Sequence, residues 1–308
     1  MSNSTGSMFA AVLMAATFAG CSAQTKDDSV KTDNGKKAEA QAASNPDVSA
    51  SDGGANADDA RQKMILANRK LGPLRVGASA VPHAEMVNAV IPELKNQGID
   101  VQVTIFEDYS LPDTAVVRGD LDANFFQTEP YLWRWRAAHG GELAVAGRIH
   151  VEPMAIWSKT VTNLSLVRDG ARVALPRDPA NLGRALYLLR KADLIDVDPA
   201  KGFEALIGDV TINKHKLKFD LQSAEKVTLL YGSDDLVLAN GNYALEAKLP
   251  LSAALMREDE TSPFPNVVVA LQSKVNDPRI VALVAALRGP TVRKLINDNY
   301  NGAVIAVP

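Results

Sequence analysis

The 308-residue sequence contains one cysteine, Cys21, so no intrachain disulfide can staple the fold. Histidine is almost as scarce. His83, His139, His150 and His215 are scattered without metal-ligand spacing, and no metal or other cofactor is expected. HExxH, GxSxG, P-loop and CxxC motifs are all missing. No carboxylate pair is placed for general acid–base work, since Asp120 and Asp122 read as turn and cap residues. An enzyme is therefore not expected. The formal net charge is only −3 and no basic block occurs, which argues against nucleic acid as a partner. Trp133 and Trp135 do alternate with Arg134 and Arg136, but immediate neighbours on a helix cannot share a face. After residue 65 no run of 18 apolar residues could cross a bilayer as a helix.

The position of the one cysteine is informative. It follows a small-residue apolar run from Met8 to Gly20, too short to span a bilayer and of the length of a secretory h-region. The ending Phe18-Ala19-Gly20-Cys21 resembles a bacterial lipobox, although an aliphatic residue is usual where Phe18 stands, and Met1–Ser7 carries no Lys or Arg. This reading makes 1–20 a signal peptide and Cys21 the lipidated residue, held at the cell envelope by acyl chains. The alternative is a buried N-terminal helix with a free core thiol. From Ser22 to about Gln62 there is no aromatic residue and little aliphatic beyond Ala. Such a stretch cannot bury enough apolar surface to offset its ordering entropy, so 21–65 is expected to be a disordered tether with a reach of about 35 Å.

The remainder reads as alternating strands and helices. Leu74–Ala78 is a strand, 79–83 a turn, and Met86, Val87, Val90, Ile91 and Leu94 form the stripe of a helix that Pro92 should kink. Val101–Phe106 completes a βαβ unit, which implies a parallel sheet. A short helix at 114–118, a strand at 123–126, a helix at 131–138 and a strand at 143–146 follow. A second unit runs from the strand 172–175 through a helix marked by Leu182, Ala185, Leu186 and Leu189, then strands near 217–219, 227–229 and 236–239. The apolar strand 266–271 and two helices, 278–288 and 290–299, end the chain. Two similar halves predict two α/β lobes, with a cleft at the carboxyl ends of their strands.

Two segments carry candidate chemistry. In Arg172-Val-Ala-Leu-Pro-Arg-Asp-Pro-Ala-Asn-Leu-Gly-Arg184 a strand turns tightly into a helix whose first residues include Asn181 and Arg184. Free N–H groups at a helix start attract anions, and a guanidinium one turn in can grip a carboxylate through two parallel hydrogen bonds. A solvated surface arginine is the competing reading. In Gly119-Asp-Leu-Asp-Ala-Asn-Phe-Phe-Gln-Thr-Glu-Pro-Tyr131, Phe126 and Tyr131 sit at a strand–helix junction where they could wall an apolar pocket or face an ammonium group. Phe125 reads as core.

From Leu74 to Val307 the chain resembles the NlpA family of lipoproteins, methionine-binding components of ABC importers. The likeness runs in order through Val76-Gly77, Phe106–Pro112, Gly119–Asn124 with Phe126-Gln127 and Pro130–Leu132, Asp178-Pro179 with Asn181–Leu186, Asn242–Leu245, Ser262-Pro263 and Asn301–Ala303. The resemblance implies an α/β type II periplasmic-binding fold of two hinged lobes, 66–154 plus 265–308 and 155–264. It also implies a small amino acid as ligand and a membrane permease with its ATPase as partners. Arg184 and Asn181 would hold the ligand carboxylate, and Phe126 and Tyr131 would line the side-chain pocket. Asn240 would meet the ligand's polar end, and Tyr109 and His83 are further candidates.

The sequence departs from the family pattern at Thr128, where histidine is usual, and at Trp157, Arg177, Ala180 and Gly241. Scaffold and carboxylate grip are kept, so the departures bear on side-chain selectivity. Glu152, beside the expected hinge, would need a cation such as Arg177 or stay protonated if buried; a solvent-facing cleft rim is the other reading. A different class of function also fits, namely a surface adhesin or a regulatory partner with a vestigial cleft.

Overall fold

The computed structural model describes residues 70–307, so the expected signal peptide, Cys21 and the expected tether lie outside the described residues. Among the described residues, thirteen strands form two large sheets and one small ribbon. The first sheet contains β1 (Gly72–Ser79), β2 (Ile99–Phe106), β3 (Ala123–Thr128), β4 (Leu143–Val151), β12 (Pro265–Leu271) and β13 (Ile305–Ala306), in the order β13-β4-β12-β3-β1-β2. The second contains β5 (Ala155–Trp157), β6 (Arg172–Pro176), β9 (Lys218–Gln222), β10 (Leu236–Ala239) and β11 (Met256–Arg257), in the order β11-β5-β10-β6-β9. The ribbon pairs β7 (Ile195–Val197) with β8 (Val210–Asn213).

Pairing of β1 with β2 and with β3 is parallel, as the βαβ pattern required, and α1 (Glu85–Asn96) makes the crossover. That helix buries Met86, Val87, Val90 and Leu94 along one side. It runs on through Pro92. The proline is exposed, as is Asn88 one turn earlier, so water can satisfy the carbonyl that loses its N–H partner.

Helices cover both faces of the first sheet, which explains the continuous apolar run in β12. Val268 and Ala270 pack with α1, α7 (Pro278–Leu287) and α8 (Pro290–Asn299). Val267 and Val269 point the other way, into a cluster with Val116 of α2 (Pro112–Arg118) and Leu132 and Trp135 of α3 (Glu129–His139). Trp135 is buried in that cluster, whereas Trp133 is 57% exposed. The second sheet repeats the arrangement. Val173, Leu175, Leu236 and Leu238 face Leu182, Ala185, Leu186 and Leu189 of α4 (Pro179–Lys191), and Ala174, Val237 and Ala239 face away with Trp157.

Residues 227–229 are not the expected strand. They belong to α5 (Ala224–Val227) and the 3-10 turn that follows it. Val-Thr-Leu is deceptive because Val227 alone of the three is buried; Leu229 is 77% exposed. A further helix, α6 (Gly241–Glu246), follows β10.

The chain passes between the large sheets twice, through 152–154 and 258–264, which form the hinge between two α/β lobes. No helix among the described residues is long and apolar enough to cross a membrane. Close approach of backbone to backbone fixes one glycine. A Cβ at Gly183 of α4 would lie 2.0 Å from the carbonyl oxygen of Phe203. Gly183→Ala is therefore expected to force α4 off this contact and cost about 1–3 kcal/mol, read from urea unfolding.

Candidate functional site

Several elements end at the hinge with polar residues, and their side chains enclose one cavity between the lobes. Tyr109, Phe126, Gln127, Thr128, Tyr131, Glu152, Asn181, Arg184, Asn240, Gly241, Asn242 and Asn266 line it. Phe126, Gln127 and Thr128 end β3, and Asn240 and Asn242 follow β10, so these come from the carboxyl ends of strands as open α/β sheets dictate. The lobes are shut over the cavity. The space open to the centre of a water-sized sphere is about 10 Å³, roughly one water molecule.

Arg184 is 2% exposed, which disposes of the solvated reading. Its fork is directed otherwise than expected. Nε donates to Glu258 Oε1 at 2.7 Å and Nη2 to Glu258 Oε2 at 2.5 Å, so the two parallel bonds go to a carboxylate of the chain itself. Nη2 also donates to the Glu152 carbonyl at 2.7 Å, and the guanidinium lies 4.5 Å from the centre of the Phe264 ring. Glu258 Oε2 accepts in addition from the Met154 N–H and the Ser262 hydroxyl. One buried ion pair thus bolts α4 to both hinge crossings.

Asn181 and Asn240 form a chain of amides. Asp178 caps α4 by accepting from the Asn181 N–H at 2.9 Å, and the Asn181 side chain donates to the same carboxylate. Asn240 Nδ2 donates to Asn181 Oδ1 at 2.8 Å. Three buried atoms of cavity-lining residues have no partner within the protein: the acceptors Asn240 Oδ1 and Gln127 Oε1, and the donor Asn242 Nδ2. Gln127 is held from behind, where Nε2 donates to Asp113 Oδ1 at 2.6 Å and to Asn124 Oδ1 at 3.0 Å. Burial pushes Asp113 up to about 6 against these stabilising hydrogen bonds.

The opposite end is aromatic. The Tyr109 ring lies 5.5 Å from that of Phe126, 5.6 Å from Tyr131 and 5.0 Å from Tyr243. Two hydroxyls of this group cross the cleft. Tyr109 donates to Asn242 Oδ1 at 2.6 Å, and Tyr243 donates to the Glu107 carbonyl at 3.2 Å. Phe125 points away into the core of the first lobe, as expected.

Glu152 is 3% exposed and lines the cavity. Its partner is not Arg177, which is exposed, but a pair of buried histidines. Oε1 lies 2.6 Å from His150 Nε2 and 3.3 Å from His83 Nε2. Burial raises the Glu152 pKa, and His83 and Arg184 oppose the rise. His83, a candidate for ligand contact, is not among the lining residues and stands behind Glu152. Gly241 matters because a Cβ there would lie 2.7 Å from Glu152 Cβ. Of the other departures, Trp157 is core and donates to the Pro250 carbonyl, Ala180 lines a separate surface groove, Arg177 lies at the cleft mouth beside Asp178, and only Thr128 and Gly241 reach the cavity. Gln127, Asn242 and Asn266 line the cavity beyond the residues expected from the sequence. One signal was present: Asn124, Gln127 and Asn266 are amides inside otherwise apolar strands.

Two α/β lobes joined by two crossings around a closed polar cleft define the periplasmic substrate-binding fold. The NlpA lipoprotein profile matches residues 74–307, and the chain belongs to that family. It is 34% identical over 234 residues to membrane lipoprotein TpN32 of Treponema pallidum (strain Nichols), covering 75% of this chain and 87% of that protein. A nutrient binding protein from Burkholderia cenocepacia bound to methionine superposes with a TM-score of 0.74 at 32% identity, covering 76% of this chain and all (100%) of that one. An ABC transporter periplasmic substrate-binding protein from Coxiella burnetii gives 0.73 at 35% identity, with coverage of 76% and 100%. The Burkholderia and Coxiella relatives are binding proteins rather than enzymes.

Two outcomes follow from the buried charges. Glu258→Ala leaves Arg184 uncompensated and should cost about 3–5 kcal/mol in urea unfolding, most of it recovered in the Arg184→Met/Glu258→Ala double variant. Asp113 has a folded pKa above its ordinary 3.8, so its neutral form is favoured in the fold. Its contribution is full below about pH 3.8 and is lost as pH rises through about 6. Relative to Asp113→Asn, the wild type should lose on the order of 2–3 kcal/mol of unfolding free energy between pH 4 and pH 7.

Proposed function

We propose that the chain is the lipid-anchored substrate-binding component of an ABC importer, taking a free amino acid between its lobes and presenting the closed form to a permease driven by an ATPase. Methionine is the first candidate. The anchor would be acyl chains on Cys21, at the extracytoplasmic face of a membrane.

The observation that carries this reading is the polarity of the cavity lining. The Glu152 carboxylate and the acceptors Asn240 Oδ1 and Gln127 Oε1 suit the three N–H bonds of an ammonium group. Arg184 Nη1, outside the Glu258 fork, and Asn242 Nδ2 suit a carboxylate. Tyr109, Phe126 and Tyr131 supply an apolar wall, with Thr128 beside them. A zwitterion with an apolar side chain meets all three requirements.

With the cleft this tightly shut, the ligand enters only when the lobes part. Contacts to both lobes exist only in the closed form, so the ligand shifts the population toward closure. The Tyr109–Asn242 and Tyr243–Glu107 hydrogen bonds latch that form.

Arg184→Ala is an ambiguous test because it also strands Glu258. Asn240→Ala is cleaner because it strands no charge, only the Asn181 amide oxygen. Calorimetric titration should show wild-type protein binding methionine and this variant binding it about 10–100-fold more weakly, the loss of one hydrogen bond to a charged group. A thermal-shift screen of the common amino acids with no stabilised ligand would remove the reading.

A further inference from the structure

Behind the cleft, His83, His150 and Glu152 form a fully buried cluster. Both imidazoles are built in as neutral groups, since burial lowers His83 to about 4 and His150 to about 3. Each ring therefore carries one N–H. His150 Nε2 faces Glu152 Oε1, so the proton is on Nε2. His83 Nε2 faces two acceptors, Glu152 Oε1 and Asn266 Oδ1 at 3.2 Å, and His83 Nδ1 accepts from the Ser79 hydroxyl at 2.7 Å.

The rings are fixed by packing. Phe125 meets His83 edge to face at 4.6 Å and His150 at 5.4 Å, and the two imidazoles are 5.0 Å apart. The second oxygen, Oε2, is on the other side of the carboxylate, where a Cβ on Gly241 would lie 3.1 Å from it. The Asn242 backbone N–H and the Arg184 guanidinium are the remaining groups that favour the ionised form.

We infer that His83 and His150 are positioning residues that hold Glu152 Oε1 from behind and so aim Oε2 into the cleft as the seat for the ligand's ammonium group. This rests on the amino-acid-binding reading and names the part of the site that selects an amine. A neutral donor pair is suited to the task. It satisfies a buried carboxylate by hydrogen bonding without cancelling its charge, so the charge stays available to an incoming cation.

Two histidines and a carboxylate are also a metal-ligand set. The geometry favours hydrogen bonding, because 2.6 Å separates His150 Nε2 from Glu152 Oε1, whereas two ligands of a tetrahedral zinc ion stand about 3.3 Å apart.

The test compares L-methionine with its des-amino analogue, 4-(methylthio)butanoate, by calorimetric titration of the folded protein. Expected for His150→Phe is methionine binding weakened by about tenfold or more, with binding of the analogue changed less than about twofold. His150→Gln, which keeps an N–H near the Nε2 position, should restore methionine affinity to within about threefold. Glu152→Gln should reproduce the His150→Phe pattern, and His83→Leu against His83→Gln repeats the comparison should His150→Phe not fold. Equal losses for both ligands, or no rescue by glutamine, would overturn the inference while leaving amino-acid binding in place. One equivalent of zinc retained by the purified protein, with binding abolished by chelator, would overturn it as well. Wild-type protein that binds neither compound would overturn both the inference and the reading beneath it.

Discussion

Arg184 and Glu258 make the contact on which the rest of the cleft depends. A charged pair this deeply buried is expensive to desolvate and is held only by good geometry and further hydrogen bonds. Here both are present: a two-pronged bond between the side chains, the Met154 N–H and Ser262 hydroxyl on the carboxylate, and the Glu152 carbonyl and Phe264 ring on the guanidinium. The consequence is mechanical. The segment 152–154 and the segment 258–262 are both tied to the first turns of α4, so the group proposed to meet a carboxylate is anchored to both hinge crossings. Displacement at Arg184 is felt at the hinge without passing through any intermediate layer.

Around that pair the cleft separates polar from apolar demand. Carboxylate, guanidinium and amides gather where the strand ends converge on the hinge, and the tyrosines and Phe126 form a cluster of their own. Each polar group is positioned by another. Asp178 holds Asn181, which holds Asn240; Asp113 and Asn124 hold Gln127; two histidines hold Glu152. Side chains pinned in this way need little reordering when a ligand arrives, which lowers the entropic cost of binding.

Much of the architecture was legible in the sequence because periodicity reports directly on burial. The α1 stripe, the alternating halves and the βαβ unit all appeared in the places expected. The segment 227–229 did not, since Val-Thr-Leu, two aliphatic side chains flanking a β-branched one, looks alike whether a sheet or a short helix presents it, and only exposure of Leu229 separates the two. At the site, Phe126, Thr128, Tyr131, Asn181, Arg184, Asn240 and Tyr109 all line the cavity, whereas His83 stands behind it. Its place was hidden because, Ser79 apart, its partners are 69 and 183 positions away along the chain, at Glu152 and Asn266.

By itself the sequence determined the kind of molecule: family, two α/β halves, and a ligand cleft rather than a catalytic centre. These follow from local pattern and from residue types that must recur in order. Pairing was decided by the tertiary structure alone. That Arg184 is bound to Glu258, that Glu152 turns to two neutral histidines instead of Arg177, and that the Trp157 indole lies in the core rather than in the cleft are all matters of which buried group finds which partner. A buried charge must take the complement the packed fold brings within hydrogen-bond range, and that proximity is set by the crossing of the chain between its lobes, not by neighbours in sequence.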